Sequence, residues 1–409
     1  MPMPWLVMKE ESSVSNRRLR VLSVAHSAHG RGSSRLRYRP LSKDDSIELL
    51  LAIPERWKES GRVTHAAPPD STIDIRAYPI QLPWVRGAKW YLHWYPGLSK
   101  MMREFEPDVI HLWEEPWAAV SLHAALLRNR LMPRAALILE TEQNILRKLP
   151  PPFERIRRFT LRQTDWLVSR NREAIDVSRA CGYSGGSTIV EYCFDASQFR
   201  PQRETDVEAP ENLPLRLGYV GRIIREKGLF TVLDALLLSK SNVKLELLGD
   251  GADRASLMNK VHDLGLEDRV KILPSGSADQ VARFMASIDV LVLMSETTRT
   301  WKEQFGRVII EAQACGAPVI GSTSGNIPFV VSDGGWIVEE GNATKLAHLI
   351  DELADNRDLV RDARQRALRN VQRFTESVVA ASLLGAWRQA SDHRQSVCQT
   401  APCLAGSSA

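Results

Sequence analysis

From about residue 17 onward the apolar positions fall into two textures that take turns along the chain. Compact hydrophobic runs alternate with longer stretches in which apolar residues return every third or fourth position. The runs LRVLSVAH (19–26), DSIELLLAIP (45–54), DVIHLW (108–113), RAALILET (134–141) and DWLVSRN (165–171) predict strands. Their near-continuous hydrophobicity suits strands covered on both faces. Amphipathic stretches over 116–130 and 153–163 predict helices between them. The alternation pauses in FRPQRETDVEAPENLPLRLGYVG (199–221), a polar span with three prolines that reads as a linker. It resumes with LRLGYVG, VKLELLGD, RVKILP, DVLVLMS, APVIGS and GGWIVEE as strands, and with helices starting near Gly228, Asp253, Asp279, Gly306 and Asn342. Residues 357–389 read as helical again. Strands alternating with helices imply right-handed βαβ units and parallel sheets. The expected fold class is α/β, two Rossmann-like doubly wound domains facing across a cleft. The expected division is a first domain over 1–200, a linker over 201–214 and a second domain over 215–372. A terminal helix over 373–390 and a disordered polar tail over 391–409 complete it.

Composition narrows the class. A chain of 409 residues exceeds one ordinary core, so two domains are the default. At 44% hydrophobic and 25% charged, it is neither disordered nor fibrous. Its apolar runs are too short to cross a bilayer, and MPMPWLVMKEESSVSNRRLR puts its charges after a very short apolar piece, the reverse of a secretory signal. Cys181, Cys193, Cys315, Cys398 and Cys403 are scattered with no CxxC, so reduced thiols in a cytoplasmic protein are expected. The net charge of +5 is unevenly spread. Residues 1–200 hold 30 Lys and Arg against 22 Asp and Glu, whereas the remainder holds 24 against 27. The basic first half is expected to meet something anionic.

Candidate chemistry concentrates in two segments of the second half. In EQFGRVIIEAQACGAPVIGS (303–322), Glu303 lies just before a helix and Glu311 inside it, with Gly306 at the helix start. A glycine there lets a ligand approach the backbone, and the free N–H groups of a helix start suit a phosphate. A carboxylate two turns along needs a partner if buried, and ribose hydroxyls supply one. In GYVGRIIREKG (218–228), Arg222 and Lys227 place two cations at the mouth of one strand, enough to balance a diphosphate. No GxGxxG and no P-loop can be drawn through this segment, which disfavours a dehydrogenase or an NTPase.

The segments YVGRIIREKG, LELLGDG, DVLVLMSETTRTWKEQFGRVIIEAQACGAPVIGSTSGNIPFVV and DGGWIVEEGN resemble, in this order, the nucleotide-binding domain of the family 4 glycosyltransferases. These are retaining enzymes of the GT-B fold. The resemblance covers most of 215–345 and implies that Arg222 and Lys227 hold the donor diphosphate. It implies that Glu303 grips the donor sugar and Glu311 the ribose. Gln304, Phe305, Gly306 and Arg307 then belong to the sugar and phosphate site. Gly221, Gly249, Gly251 and Pro274 would lie around the nucleotide and its base. The first half, through ETEQNILRKLPPPFERIRRFTLRQTDWLVSRNREAIDV and IVEYCFDASQFRP, is similar to bacterial members that build exopolysaccharide. DVIHLWEEPW departs from many relatives: Trp113 stands two positions after His111, where they carry a second histidine. Two alternatives stand for His111, a catalytic role or a core position at a strand end, with Glu114 or Glu115 the alternative residues facing the acceptor.

The loop HSAHGRGSSRLRY (26–38) follows the first strand, with His29, Gly30 and Gly32 expected to give flexibility near the acceptor and Arg31, Arg35 and Arg37 to give charge. No DxD triplet occurs, so no metal and no cofactor is expected, and the diphosphate is to be balanced by Arg222, Lys227 and a helix dipole. WVRGAKWYLHWYPGLSKMMREF (84–105) mixes Trp84, Trp90, Tyr91, Trp94 and Tyr95 with Arg86, Lys89, Lys100 and Arg103. Such a mixture suits an anionic membrane face or a lipid-linked acceptor, while no nucleic-acid-binding pattern surrounds it. The expected function is hexose transfer from a nucleotide diphosphate sugar to a glycan or lipid-linked acceptor, in the cytoplasm or on the inner membrane face. The alternatives are a catalytically silent sugar-nucleotide-binding scaffold and a GT-B epimerase.

Overall fold

The structure is a computed structural model that describes residues 17–30, 34–59, 62–68, 73–82, 89–201 and 213–400. Arg31, Gly32, Trp84 and Arg86, most of the expected linker and residues 401–409 lie outside the described residues.

The strands of the first half are β1 (Leu19–Val24), β2 (Ile47–Pro54), β3 (Arg56–Glu59), β4 (Arg62–His65), β5 (Asp74–Tyr78), β6 (Val109–Leu112), β7 (Ala136–Thr141), β8 (Trp166–Ser169) and β9 (Gly186–Ile189). Those of the second half are β10 (Leu215–Val220), β11 (Val243–Leu248), β12 (Val270–Leu273), β13 (Val290–Leu293), β14 (Val319–Ser322) and β15 (Gly335–Val338). Seven of them form a parallel sheet in the order β5-β2-β1-β6-β7-β8-β9. Six form a second parallel sheet in the order β12-β11-β10-β13-β14-β15. The hydrophobic runs behave as expected of covered strands: every residue of β6, β7 and β13 is buried. The hairpin β3–β4, with Trp57 opposite Thr64, and the edge strands β5 and β9 are not legible in the apolar pattern. Edge strands are half covered, and β9 (GSTI) has only partly buried residues.

The final helix, Glu376–Thr400, lies against the first sheet. Val379, Leu383, Ala386, Trp387 and Ala390 form its buried stripe, packed into one cluster with Val21, Leu51 and Ile138. Val378, on the same apolar pattern, is instead exposed. Residues 391–400, expected to be disordered, continue this helix. Arg394 donates to the Pro133 carbonyl at 3.0 Å and pairs with Asp165 at 3.4 Å, and these anchors hold a segment that has little apolar surface of its own. Cys181, Cys193, Cys315 and Cys398 are unpaired thiols. No helix among the described residues is long and apolar enough to cross a membrane.

Candidate active site

In an open parallel sheet, ligands bind beyond the carboxyl ends of the strands, at the point where the strand order reverses. That point lies between β10 and β13 in the second sheet and between β1 and β6 in the first. The loops leaving these four strands carry most of the residues singled out by the motifs, and they meet in two adjoining cavities that share Gln143 and Gln304.

The smaller cavity, about 160 Å³, is lined by Arg147, Arg222, Lys227, Lys302, Trp301 and Glu303 among others. Lys227 Nζ stands 2.6 Å from Glu303 Oε2, and Ser295 Oγ donates to the same oxygen at 2.9 Å. Glu303 is buried, so these two donors replace the water that its carboxylate gives up. Lys227 Nζ also lies 5.1 Å from the centroid of Trp301. Arg222 is exposed at the rim, its carbonyl accepting from the Tyr219 hydroxyl at 2.6 Å. The first half reaches across to this loop. Asn144 Nδ2 donates to the Glu303 carbonyl at 3.2 Å, and Asn171 Nδ2 to the Gln304 carbonyl at 2.7 Å. Lys302 pairs with Glu173 at 2.9 Å, and the Arg147 guanidinium donates to the Thr300 carbonyl. Gly325, with φ +53°, passes so close beneath that a Cβ there would stand 1.9 Å from the Glu303 carbonyl.

The other expected donor residues divide. Gln304 lines both cavities, and Gly306 opens the helix Arg307–Ala314. The Phe305 side chain is core, its ring 5.3 Å from Tyr192 and 5.7 Å from Phe374. Arg307 is exposed, with its guanidinium 5.4 Å from the Tyr192 ring. Glu311 lies in the same helix, and burial pushes its carboxyl up to about 7 against the opposing pull of Arg307. No hydrogen-bond donor reaches that carboxyl among the described residues. Gly221 turns the chain out of β10. A Cβ at Gly249 would meet the Gly221 carbonyl at 1.9 Å, and one at Gly251 the Ile223 carbonyl at 2.1 Å. These two glycines therefore press neighbouring loops together and set where Arg222 emerges. They line neither cavity, and nor does the exposed Pro274.

The larger cavity, about 290 Å³, is walled by Tyr91, Trp113, Trp117 and Tyr192 and by Glu114, Glu115, Glu140 and Glu142, with His26 and Ser27 at its edge. Burial acts to raise the Glu114 carboxyl, but His26 and His93 overcome it and hold the group at about 2. His26 Nδ1 is 2.6 Å from Glu114 Oε2, and His93 Nε2 is 3.4 Å from it. These three residues place ligand-type atoms within 4.8 Å of one another. Two ligands of a tetrahedral zinc ion stand about 3.3 Å apart, so the 2.6 Å contact is a charge-assisted hydrogen bond. Burial pushes the adjacent Glu115 carboxyl up to about 7, although the Thr141 hydroxyl donates to it at 2.5 Å.

Four candidate residues of the first half turn inward, and for His111 it is the core alternative that the structure shows. His111 is fully buried, with Nδ1 3.2 Å from Ser23 Oγ and Nε2 2.9 Å from Glu140, and Trp387 packed beside it at 5.8 Å. Burial lowers its pKa, and it touches neither cavity. His29 is buried as well, bonded to the Pro54 carbonyl at 2.9 Å and Thr64 Oγ1 at 3.0 Å, so it ties the hairpin down and adds no flexibility. Arg35 turns inward to the carbonyls of Ala28, His29, Ala67 and Pro68. Arg37 binds Glu140 through two bonds of 2.7 and 2.8 Å. A loop carbonyl or a buried carboxylate needs a donor as much as a ligand does, and sequence alone does not tell these uses apart. Gly30 is exposed next to residues outside the description. Of the aromatic stretch, Tyr91 lines the larger cavity, Tyr95 is fully buried and Trp94 is exposed. The contributions of Asn144, Asn171, Ser295, Gln143 and Tyr192 carry no signal in the sequence beyond their nearness to the motifs.

Two doubly wound halves meeting at their strand ends define the GT-B fold, and the solved structures that resemble this chain are GT-B glycosyltransferases. Anabaena HepE in complex with UDP superimposes with a TM-score of 0.67 at 18% identity, covering 91% of this chain and 100% of that one. Within that fold, residues 203–370 match the family "Glycosyl transferases group 1", so the second half carries a domain of that kind. Over 232 residues the chain is 28% identical to N-acetyl-alpha-D-glucosaminyl L-malate synthase of Bacillus anthracis, covering 54% of this chain and 58% of the relative. Over 153 residues it is 33% identical to the lipopolysaccharide core biosynthesis glycosyltransferase LpsE of Rhizobium meliloti (strain 1021), covering 37% and 42%. The chain thus spans about half the length of these curated relatives.

Proposed function

We propose that the protein is a retaining, metal-independent glycosyltransferase of family 4 that moves a hexose from a nucleotide diphosphate sugar to a glycan or lipid-linked acceptor in polysaccharide assembly. The observation that carries this reading is the Lys227–Glu303 pair at the mouth of the cationic cavity, 2.6 Å apart, at the strand-order reversal of a group 1 glycosyltransferase domain. The solved HepE structure holds UDP, and the Rhizobium relative is named for lipopolysaccharide core biosynthesis. In this reading Arg222 and Lys227 take the diphosphate, Glu303 orients the sugar hydroxyls and Glu311 accepts from the ribose. The bond from the anomeric carbon to the phosphate oxygen breaks as the acceptor oxygen bonds to that carbon on the same face. The departing phosphate oxygen takes the acceptor's proton, so no side-chain nucleophile is needed. Lys227 is the group best placed to steady the charge that develops on the leaving group. Contact with an anionic membrane face belongs to the same reading, with Trp94, Lys100 and Arg103 each exposed on the first half.

A thermal-shift panel of UDP, GDP and ADP with their common sugar conjugates tests it, because a ligand that binds the folded state raises the melting temperature. One base is expected to give a shift that EDTA leaves unchanged. No shift with any nucleotide would favour a silent scaffold instead, and a shift abolished by EDTA would remove metal independence.

Glu311 adds a pH signature. Its carboxyl, held up to about 7, is protonated below that pH, whereas ribose hydroxyls donate to the ionised form. Affinity for the sugar nucleotide is therefore expected to rise with pH through about 7 and to level off above it. Titration calorimetry between pH 5.5 and 8.5 checks this. The Glu311→Gln variant is expected to flatten the profile, and a wild-type profile that is already flat would remove Glu311 from the ribose.

A further inference from the structure

The two cavities differ in charge. The donor cavity is lined by Arg147, Arg222, Lys227 and Lys302 against the single carboxylate Glu303. The larger cavity is lined by Glu114, Glu115, Glu140 and Glu142, and no lysine or arginine lines it among the described residues. The nearest guanidiniums, Arg37 and Arg170, are held by Glu140 and lie over the ring of Trp113 at 3.7 and 4.7 Å, and Arg170 is also 3.3 Å from Glu142. They compensate Glu140 and Glu142 from the protein side, as His26 and His93 compensate Glu114. An anionic group brought into this cavity would give up its water and find no lysine or arginine among the described lining residues to replace it.

A second observation points to what the cavity does take. Trp117, which lines it, is 6% exposed, and its indole N–H has no hydrogen-bond partner. The Ser27 hydroxyl, also in the lining, is buried and likewise without a partner. An indole N–H only donates and an ionised carboxylate only accepts. A ligand that satisfies both sets must donate and accept at several points. The aromatic walls Tyr91, Trp113, Trp117 and Tyr192 ask in addition for an apolar face. A pyranose ring meets all three demands, with hydroxyls around its edge and C–H groups on its face.

We propose that the acceptor group bound in this cavity is a sugar residue that carries no carboxylate, phosphate or sulfate. This rests on the glycosyltransferase reading and deepens it. It also separates this protein from its Bacillus anthracis relative, whose name carries the dianion L-malate.

The test uses the full chain and the nucleotide sugar found by thermal shift. Matched pairs of methyl hexopyranosides and their C6-oxidised hexuronides are supplied as acceptors, with L-malate alongside, and nucleoside diphosphate release is followed. The neutral member of at least one pair is expected to exceed its hexuronide tenfold or more in kcat/KM, with malate inactive. Glu142→Gln is expected to narrow that ratio. Equal or better use of the hexuronides or of malate overturns the proposal. Saturation-transfer NMR on the same pairs decides the matter independently of turnover: binding of a neutral glycoside without its hexuronide supports it, and failure of every neutral glycoside to bind overturns it. Loss of the glycosyltransferase reading itself would appear separately, as the absence of a thermal shift with any nucleotide.

Discussion

Replacing Lys227 with alanine is expected to lower donor turnover by about 10²–10³-fold, the cost typical of removing one fixed group that stabilises developing charge. Lys227 sits 13% exposed with its ammonium 2.6 Å from Glu303. In the proposed reading its loss removes a cation from the leaving group, and it leaves the buried Glu303 carboxylate with Ser295 as its remaining side-chain donor among the described residues. Glu303→Ala is expected to cost a similar factor by freeing Lys227 and releasing the sugar hydroxyls. Both changes also break a largely buried ion pair, so the melting temperature of the unliganded protein is expected to fall, and turnover is compared at a temperature where each variant is folded. Nucleoside diphosphate release, measured beside circular dichroism, separates the two effects. Normal turnover in both variants would sink the assignment of this pair to the donor site.

The second large effect concerns stability. Glu140 is fully enclosed between Arg37 and Arg170, with His111 2.9 Å away. Burial alone would raise the Glu140 carboxyl, but the two guanidiniums hold it well below the usual carboxylate range. Glu140→Ala strands both guanidiniums, which are buried at 2% and 0% exposure. Breaking a buried pair by removing one partner costs about 3–5 kcal/mol, and here one carboxylate serves two cations. Because about 1 kcal/mol moves the melting point of a domain this size by about 2–4 °C, a drop of about 10 °C or more is expected. Thermal and urea denaturation measure it. A loss below about 1 kcal/mol would mean that water or Glu142 takes over the guanidiniums. His111 belongs to the same buried network and lines neither cavity, which makes it a poor catalytic candidate.

The two halves of the site were unequally legible in the chain. Around Lys227 and Glu303 the signal is local: each lies in a loop that follows an apolar strand and precedes a helix, so the βαβ rule alone places both at the strand ends. The first half offers the same rule with a different result. His29, Arg35, Arg37 and His111 occupy equivalent loop and strand-end positions, yet all four turn inward. The basic excess of the first half, which suggested an anionic partner, is partly consumed by buried carbonyls and by Glu140. Meanwhile Glu114 and Glu115, neighbours in sequence, are held near 2 and near 7 by surroundings drawn from distant segments.

The sequence by itself determined the two parallel sheets, the positions of their buried strands and the pairing of a cationic loop with a glutamate-bearing one. The sheets and strands follow from periodicity and from what lies within a few residues, and the pairing of the two loops is what the resemblance to family 4 glycosyltransferases implies. Only the tertiary structure decided which charged side chains face the cleft and which are enclosed. It alone brought Asn144 and Asn171 onto the loop of Glu303 and Gln304, and it alone set an anionic cavity beside a cationic one. The physical reason is that a polar side chain's role depends on whether water or protein completes its hydrogen bonds. That is settled by segments more than a hundred residues apart in the chain, such as Arg37 and Glu140.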